Sequence, residues 1–462
     1  MTAVESIPGV VEDLRAGFRG GALHEVEARA GQLRQLRLLL VEQEGRLIDA
    51  VVTDLGKPRI EAYMAEIAGT VSEVDEALKH LESWNKPQKA KVPLPLKPGA
   101  GRLHPQPLGT VCIIAPWNYP IHLLFAPLVP ALAAGNTAVL KPSEVTPTVA
   151  ALIEELVPEY LDKRVVSVVN GGVAETTKLL EEQFDHIFYT GNGVVARVVM
   201  AAAAKHLTPV TLELGGKSPT IVAADANIKI AARRIAWAKF INAGQTCVAP
   251  DYILVEDGVE DELLAALQST ITGFYGDDPQ ASPDFARIVN ERHHDRLTAL
   301  LDGGGYETTV TGGSYDRTGC YLAPTVLAGV EPDAAVMSEE IFGPILPVLK
   351  VGSIDEAIDF VNERDKPLAL YAFSANDAVL DRIVEHTSAG GVTLNHALLH
   401  LAVPDLPFGG VGPSGMGSYH GKAGFDVFSH HKPVFKKGIR PDPTLTYPPY
   451  TKRKQKLLRK FI

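Results

Sequence analysis

Residues 111–140, VCIIAPWNYPIHLLFAPLVPALAAGNTAVL, contain no Asp, Glu, Lys or Arg. A run of that length is able to cross a bilayer as one helix. Pro116, Pro120, Pro127 and Pro130 interrupt it, however, and Asn118, His122 and Asn136 lie inside it. Prolines at that density remove the internal hydrogen bonds that a membrane span needs. The run is therefore predicted as a buried strand, a turn, a proline-marked helix and a second strand.

Working outward, the same alternation continues. TVCIIAP, NTAVLKP, RVVSVVNGG, HIFYTG and VTLELGG are short apolar runs of β-branched character, separated by helix-like stretches such as 147–159 and 175–183. This order predicts an α/β fold, a parallel sheet with helices on both faces. A second series, PTIVA, DYILVED, ARIVN, LPVLKV, LALYAFS and GGVTLN, predicts a second α/β sheet. Upstream, Leu33, Leu36, Leu40 and Leu47 recur at helical spacing among polar residues, and DLGKP (54–58) punctuates them. The Pro/Lys-rich stretch 85–105 is predicted as an extended arm.

A chain of 462 residues suggests about three domain-sized units. The net charge of −11 argues against nucleic acid as a partner. Cys112, Cys247 and Cys320 are far apart and odd in number. No metal site is expected, and a reducing, cytosolic setting fits. The first residues, MTAVESIPGVVEDLRAGF, lack the pattern of a secretory signal.

Several short segments carry candidate chemistry. Cys247 stands in INAGQTCVAP (241–250), among Asn242, Gly244, Gln245 and Thr246. It is either a half-buried loop thiol or a nucleophile in a polar, partly exposed setting. Cys112 is the better core candidate, and Cys320 is read as structural. Glu213 ends an apolar strand before Gly215 and Gly216. It is either an outward strand carboxylate or a general base whose pKa is raised by apolar surroundings. Asn118 lies in APWNYP, as a turn residue or as a neutral donor to an oxyanion. Gly191, Gly193 and Ala196 match G-x-G-x-x-A after a strand, as a phosphate site at a helix N-terminus or as an ordinary glycine-rich strand–helix turn. KPSE places Lys141 and Glu144 at a strand end, to flank a ribose or to meet solvent.

Taken together and in order, PWNYP, KPSEVTP, YTGNG, LELGGKSP, GQTCVAPDYILV, EEIFGP and PFGGVGPSGMG resemble the aldehyde dehydrogenase superfamily, over about residues 5–440. SGMGSYHG is similar to its class 3 branch of fatty- and aromatic-aldehyde enzymes. The resemblance implies a Rossmann-like cofactor domain, a second α/β catalytic domain and a small β arm for bridging and oligomerisation. It implies cofactor-domain segments 1–84 and 106–213, a catalytic domain 214–415, bridging elements 85–105 and 416–440, and a basic tail 441–462. It implies Cys247 as nucleophile, Glu213 as general base and Asn118 as oxyanion donor. NAD or NADP would be held by Trp117, Lys141, Glu144, Gly191, Asn192, Leu214, Gly215, Glu340 and Phe342. One departure stands out: Gly193 is extra and Ala196 replaces a second small glycine in the phosphate turn.

The implied reaction oxidises an aldehyde to a carboxylic acid through a cysteine thiohemiacetal and a thioester hydrolysed by water. Transfer of the acyl group to CoA, or binding without catalysis, are the alternatives. A cytoplasmic homodimer is implied. The tail TKRKQKLLRKFI (451–462) carries Lys452, Arg453, Lys454, Lys456, Arg459 and Lys460 beside Leu457, Leu458, Phe461 and Ile462. It is read as a solubilised tail, with weak contact to an anionic membrane surface as the sharper alternative.

Overall fold

A computed structural model describes residues 1–442 and 444–459. The uncharged run folds as predicted: the strand Thr110–Ile114, the helix His122–Ala134 and the strand Thr137–Lys141. Pro127 and Pro130 lie inside that helix. An interior proline costs about 3 kcal/mol in an isolated helix. Here every helix residue from Leu123 to Ala134 is buried, and that burial offsets the cost.

These two strands are central in a six-stranded sheet. Its order is Gly415–Met416, Val210–Glu213, His186–Thr190, Thr110–Ile114, Thr137–Lys141, Val166–Val168. All neighbours are parallel except Gly415–Met416, which runs antiparallel along Val210–Glu213. The chain winds outward from Thr110–Ile114 to Val166–Val168, then returns to the other side at His186–Thr190. That reversal leaves a crevice beyond the carboxyl ends of Thr110–Ile114 and His186–Thr190, where doubly wound sheets bind ligands.

A seven-stranded sheet follows the order Thr308–Thr311, Thr325–Ala328, Ile345–Val351, Tyr252–Glu256, Pro219–Val222, Ala369–Phe373, Gly391–Leu394. Only Thr308–Thr311 is antiparallel to its neighbour. One expectation fails here: ARIVN (286–290) is not a strand. Its backbone N–H groups bond outward instead, Arg287 to the Leu55 carbonyl, Ile288 to that of Cys320, and Val289 to the Gln245 side chain. The strand Thr325–Ala328, which the sequence did not suggest, occupies a place in the sheet.

The arm is real as a structure. Gln88–Ala90, Gly99–Pro107 and Ser429–Lys437 form a three-stranded antiparallel sheet. Leu33, Leu36, Leu40 and Leu47 are fully buried on the helices Val26–Glu42 and Glu44–Leu55. Among the described residues no helix is long and apolar enough to cross a membrane. The tail contains a short helix, Lys452–Leu458, capped by the Thr451 hydroxyl. The expectations placed on Lys460, Phe461 and Ile462 lie outside the described residues.

Candidate active site

One cleft of about 1090 Å³ opens at the crevice. It is lined by Trp117, Asn118, Lys141, Glu144, Gly191, Asn192, Leu214, Gly215, Cys247, Glu340 and Phe342, which lie far apart in sequence. Glu213 does not line it. That residue is buried immediately beneath Leu214, at 2% exposure. The first sheet contributes through the carboxyl ends of its strands. The second sheet contributes through loops that enter Tyr252–Glu256 and Ile345–Val351.

The Cys247 loop is held in an unusual conformation. Asn242, Ala243 and Gly244 have φ of 53°, 51° and 74° in succession. A side chain at Gly244 would place its Cβ 2.2 Å from the Gly343 carbonyl oxygen. Non-glycine residues at positive φ are strained and persist only where their surroundings over-determine them. Here Gln245 supplies much of that surrounding. Its Nε2 donates to the carbonyls of Asn242 and Arg287 at 3.0 and 2.9 Å, and its Oε1 accepts from Val289 N–H. The Asn242 N–H donates to Glu61, whose carboxyl is pushed up to about 7 by burial. The Tyr371 hydroxyl donates to the Val248 carbonyl at 2.6 Å.

Asn118 is buried and reaches this loop directly. Its Nδ2 donates to the Gln245 carbonyl at 3.0 Å, which leaves one amide hydrogen free. Cys247 is half-buried, which fits either reading of it. The charged groups that act on it are carboxylates. Burial, followed by the Glu340 and Glu213 carboxylates, raises the thiol above its ordinary value. Cys112 is fully buried in the core, and Cys320 is half-buried with φ of 46°.

Glu213 is not an outward strand carboxylate. Both of its oxygens are buried without a hydrogen-bond partner among the described residues. Burial alone raises its pKa well above the ordinary carboxylate range. Its backbone is fixed from both sides by the strand His186–Thr190 and by Gly415, and Leu214 N–H donates to the Ser414 carbonyl. An orphaned buried carboxylate is costly unless something transient satisfies it.

Glu340 is a second such group. One of its oxygens has no partner, and burial with the nearby Asp251 pushes its carboxyl up to about 8. It fits only because Gly215 lacks a side chain, since a Cβ there would lie 2.5 Å from both Glu340 oxygens. The Phe342 ring meets Trp117 edge-on at 5.4 Å, and Trp117 also packs on His293. Sequence reasoning missed His293, Arg296 and Lys217. Burial pulls His293 down to about 4. Arg296 and Lys217 donate to the carbonyls of Ile341 and Glu339, and so hold the segment that carries Glu340 and Phe342. The lysine of GGK, directly after the paired glycines, was the available signal for Lys217.

The far end of the cleft is more open. Lys141 is buried, donates to the Pro142 carbonyl and lies 3.7 Å from Glu144, which is half in water. It is therefore not a solvated strand end. Asn192 caps the helix Gly193–Ala204, accepting from Val194 and Val195 N–H at 3.0 Å. The donors expected to meet a phosphate are thus occupied by the chain's own side chain. Val173, Val194 and Val198 line this end and are 80%, 74% and 57% exposed. A dinucleotide suits these features: an apolar shelf for a base, carboxylates for ribose hydroxyls, and helix-end donors released if Asn192 turns away.

The comparisons agree with this geometry. A profile described as "Aldehyde dehydrogenase family" matches residues 3–434. Mouse "Aldehyde dehydrogenase family 3 member A2" is 47% identical, covering 97% of this chain and 93% of its own. Rat "Aldehyde dehydrogenase, dimeric NADP-preferring" is 45% identical, covering 94% and 96%. The structure titled "Substrate bound state of Staphylococcus Aureus AldH" superposes with a TM-score of 0.95 at 46% identity, covering 100% of both chains. With a cleft suited to a dinucleotide beside a thiol and an unpartnered carboxylate, this chain belongs to the aldehyde dehydrogenase family, akin to its family 3 members, as an NAD(P)-dependent enzyme.

Proposed function

We propose that the enzyme oxidises its aldehyde to a carboxylic acid by covalent catalysis at Cys247, with water as the final acyl acceptor. The observation that carries this reading is Glu213: a buried carboxyl whose two oxygens have no partner among the described residues, at the end of a strand next to Leu214, which lines the cleft with Cys247. A raised pKa suits a group that must accept a proton and later return it.

The roles follow from what each group is able to do. Cys247 gives its thiol proton to solvent, and Sγ, as thiolate, adds to the carbonyl carbon. The new oxyanion accepts from the free Nδ2 hydrogen of Asn118 and from the Cys247 backbone N–H. A nicotinamide held in the cleft would supply the hydride acceptor, and that chemistry belongs to the cofactor. The acyl group then remains on sulfur as a thioester. Glu213 takes a proton from a water that attacks the thioester carbon, and Cys247 leaves as thiolate. Trp117, Leu214, Gly215, Glu340 and Phe342 would contact the nicotinamide side, and Lys141, Glu144, Gly191 and Asn192 the adenosine side.

Glu213 favours water over CoA as acceptor, because a positioned base has no use if a thiol takes the acyl group. Product analysis with and without CoA tests this: the free acid is expected in both, and an acyl-CoA as the main product would overturn it. The reading extends to a cytoplasmic homodimer, which the edge strand Ser429–Lys437 and the "dimeric" relative support. It divides the chain into the cofactor, catalytic and bridging segments given above.

A further inference from the structure

Lys57 and Glu66 form an ion pair at 2.7 Å with both side chains at 0% exposure. Two charges taken out of water are a poor source of stability, since their desolvation is often larger than their attraction. Such a pair persists most readily where its geometry is used. Every remaining bond it makes goes to the Asn118 turn. Lys57 Nζ donates to the Asn118 carbonyl at 3.0 Å, and its charge lies 4.1 Å from the centre of the Tyr119 ring. Glu66 Oε2 accepts from the N–H groups of Ile121 and His122.

The turn is in turn tied to the nucleophile loop at three points. Asn118 Nδ2 donates to the Gln245 carbonyl, Asn242 Nδ2 donates to the Asn118 carbonyl, and the Tyr119 and Thr246 hydroxyls are 2.7 Å apart. Glu66 is presented by a π-helical turn, Tyr63–Ala68, a feature frequent at functional sites. Neither Lys57 nor Glu66 borders the cleft.

We infer that the Lys57–Glu66 pair is a positioning device that sets the Asn118 amide against Cys247 and so shapes the oxyanion pocket. This rests on Asn118 acting as the oxyanion donor. The pair touches no reacting atom; it acts by holding the backbone of one donor residue at a fixed distance from the other.

A double-mutant cycle tests it. Lys57→Met with Glu66→Gln removes both charges and nearly preserves volume. In the folded variant kcat/KM should fall about 10- to 100-fold, as small misplacements of a catalytic group do. The Kd for NAD(P) should change by less than about threefold, because Trp117 is the one proposed cofactor residue on this turn. In an Asn118→Ala background the same pair of changes should cost less than about threefold, since the group they position is already gone. A merely structural role would instead multiply through that background. Full multiplication, or wild-type kcat/KM in the folded variant, would overturn the inference. An Asn118→Ala enzyme with wild-type kcat/KM would overturn the oxyanion reading itself. Should the double variant not fold, Glu66→Asp gives the same cycle, because it keeps a carboxylate beside Lys57 and shortens by one methylene the reach to the Ile121 and His122 N–H groups.

Discussion

At the Cys247 end of the cleft, residues 242–244 are held at positive φ, and Gln245, Glu61, Asn118 and Tyr371 pin the loop through buried hydrogen bonds. At the adenosine end, Glu144 is half in water, the Asn192 side chain caps its own helix, and valines stand exposed. One end is fixed before any ligand arrives. The other satisfies itself and must give up contacts to bind. The difference follows the chemistry. Bond making at carbon is sensitive to shifts of an ångström, whereas a dinucleotide is held by many weak contacts that tolerate rearrangement.

The contrast predicts a steep gradient of mutational effect. Cys247→Ala should sit at the top, with aldehyde oxidation lost by at least about 10³-fold in NAD(P)H formation, while cofactor binding by fluorescence titration is retained. Asn118→Ala should lower kcat/KM by about 10²- to 10³-fold, the usual cost of one oxyanion donor. Glu213→Gln should slow steady turnover by about 10²- to 10⁴-fold yet leave a rapid first burst of NAD(P)H, because only hydrolysis of the acyl group needs the base. Full steady turnover without Glu213 would remove the fixed end's second member.

The pH dependence has a definite sign. Glu213 works deprotonated, and burial raises its pKa. Hydrolysis should therefore fail as pH drops through a value above the ordinary carboxylate range, and should level off above it. In the Glu213→Gln enzyme the acid limb of steady turnover should vanish. Smallest of all, Glu144→Gln should change the KM for NAD by no more than about fivefold, since the group is half exposed and screened. The ratio of NADP to NAD use should rise, because a carboxylate repels a 2′-phosphate. A loss as large as that of Asn118→Ala would break the contrast between the two ends.

How far the sequence revealed each end also differs. The strand–helix–strand reading of 111–140 survived because its cues are local: missing charges, prolines and a glycine at the helix end. Cys247, Glu213 and Asn118 were visible as polar atoms in apolar or turn settings. Their supports were not. Lys57 looked like turn punctuation in DLGKP, because its partner is nine residues away and its target, Asn118, is 61 residues away. ARIVN has the composition of a strand, but its N–H groups are claimed by Leu55, Cys320 and Gln245, contacts that no local pattern encodes. Likewise KPSE alone left Lys141 either beside a ribose or in solvent, and it is buried, with Nζ donating to the Pro142 carbonyl.

The measurement that tests the central claim most directly is intact-protein and peptide mass spectrometry of the Glu213→Gln enzyme, quenched after mixing with an aldehyde and NAD(P)⁺. The account predicts one acyl group per active site, on the peptide that contains Cys247, formed in step with the NAD(P)H burst. A burst of reduced cofactor with no acyl group on that peptide would contradict it.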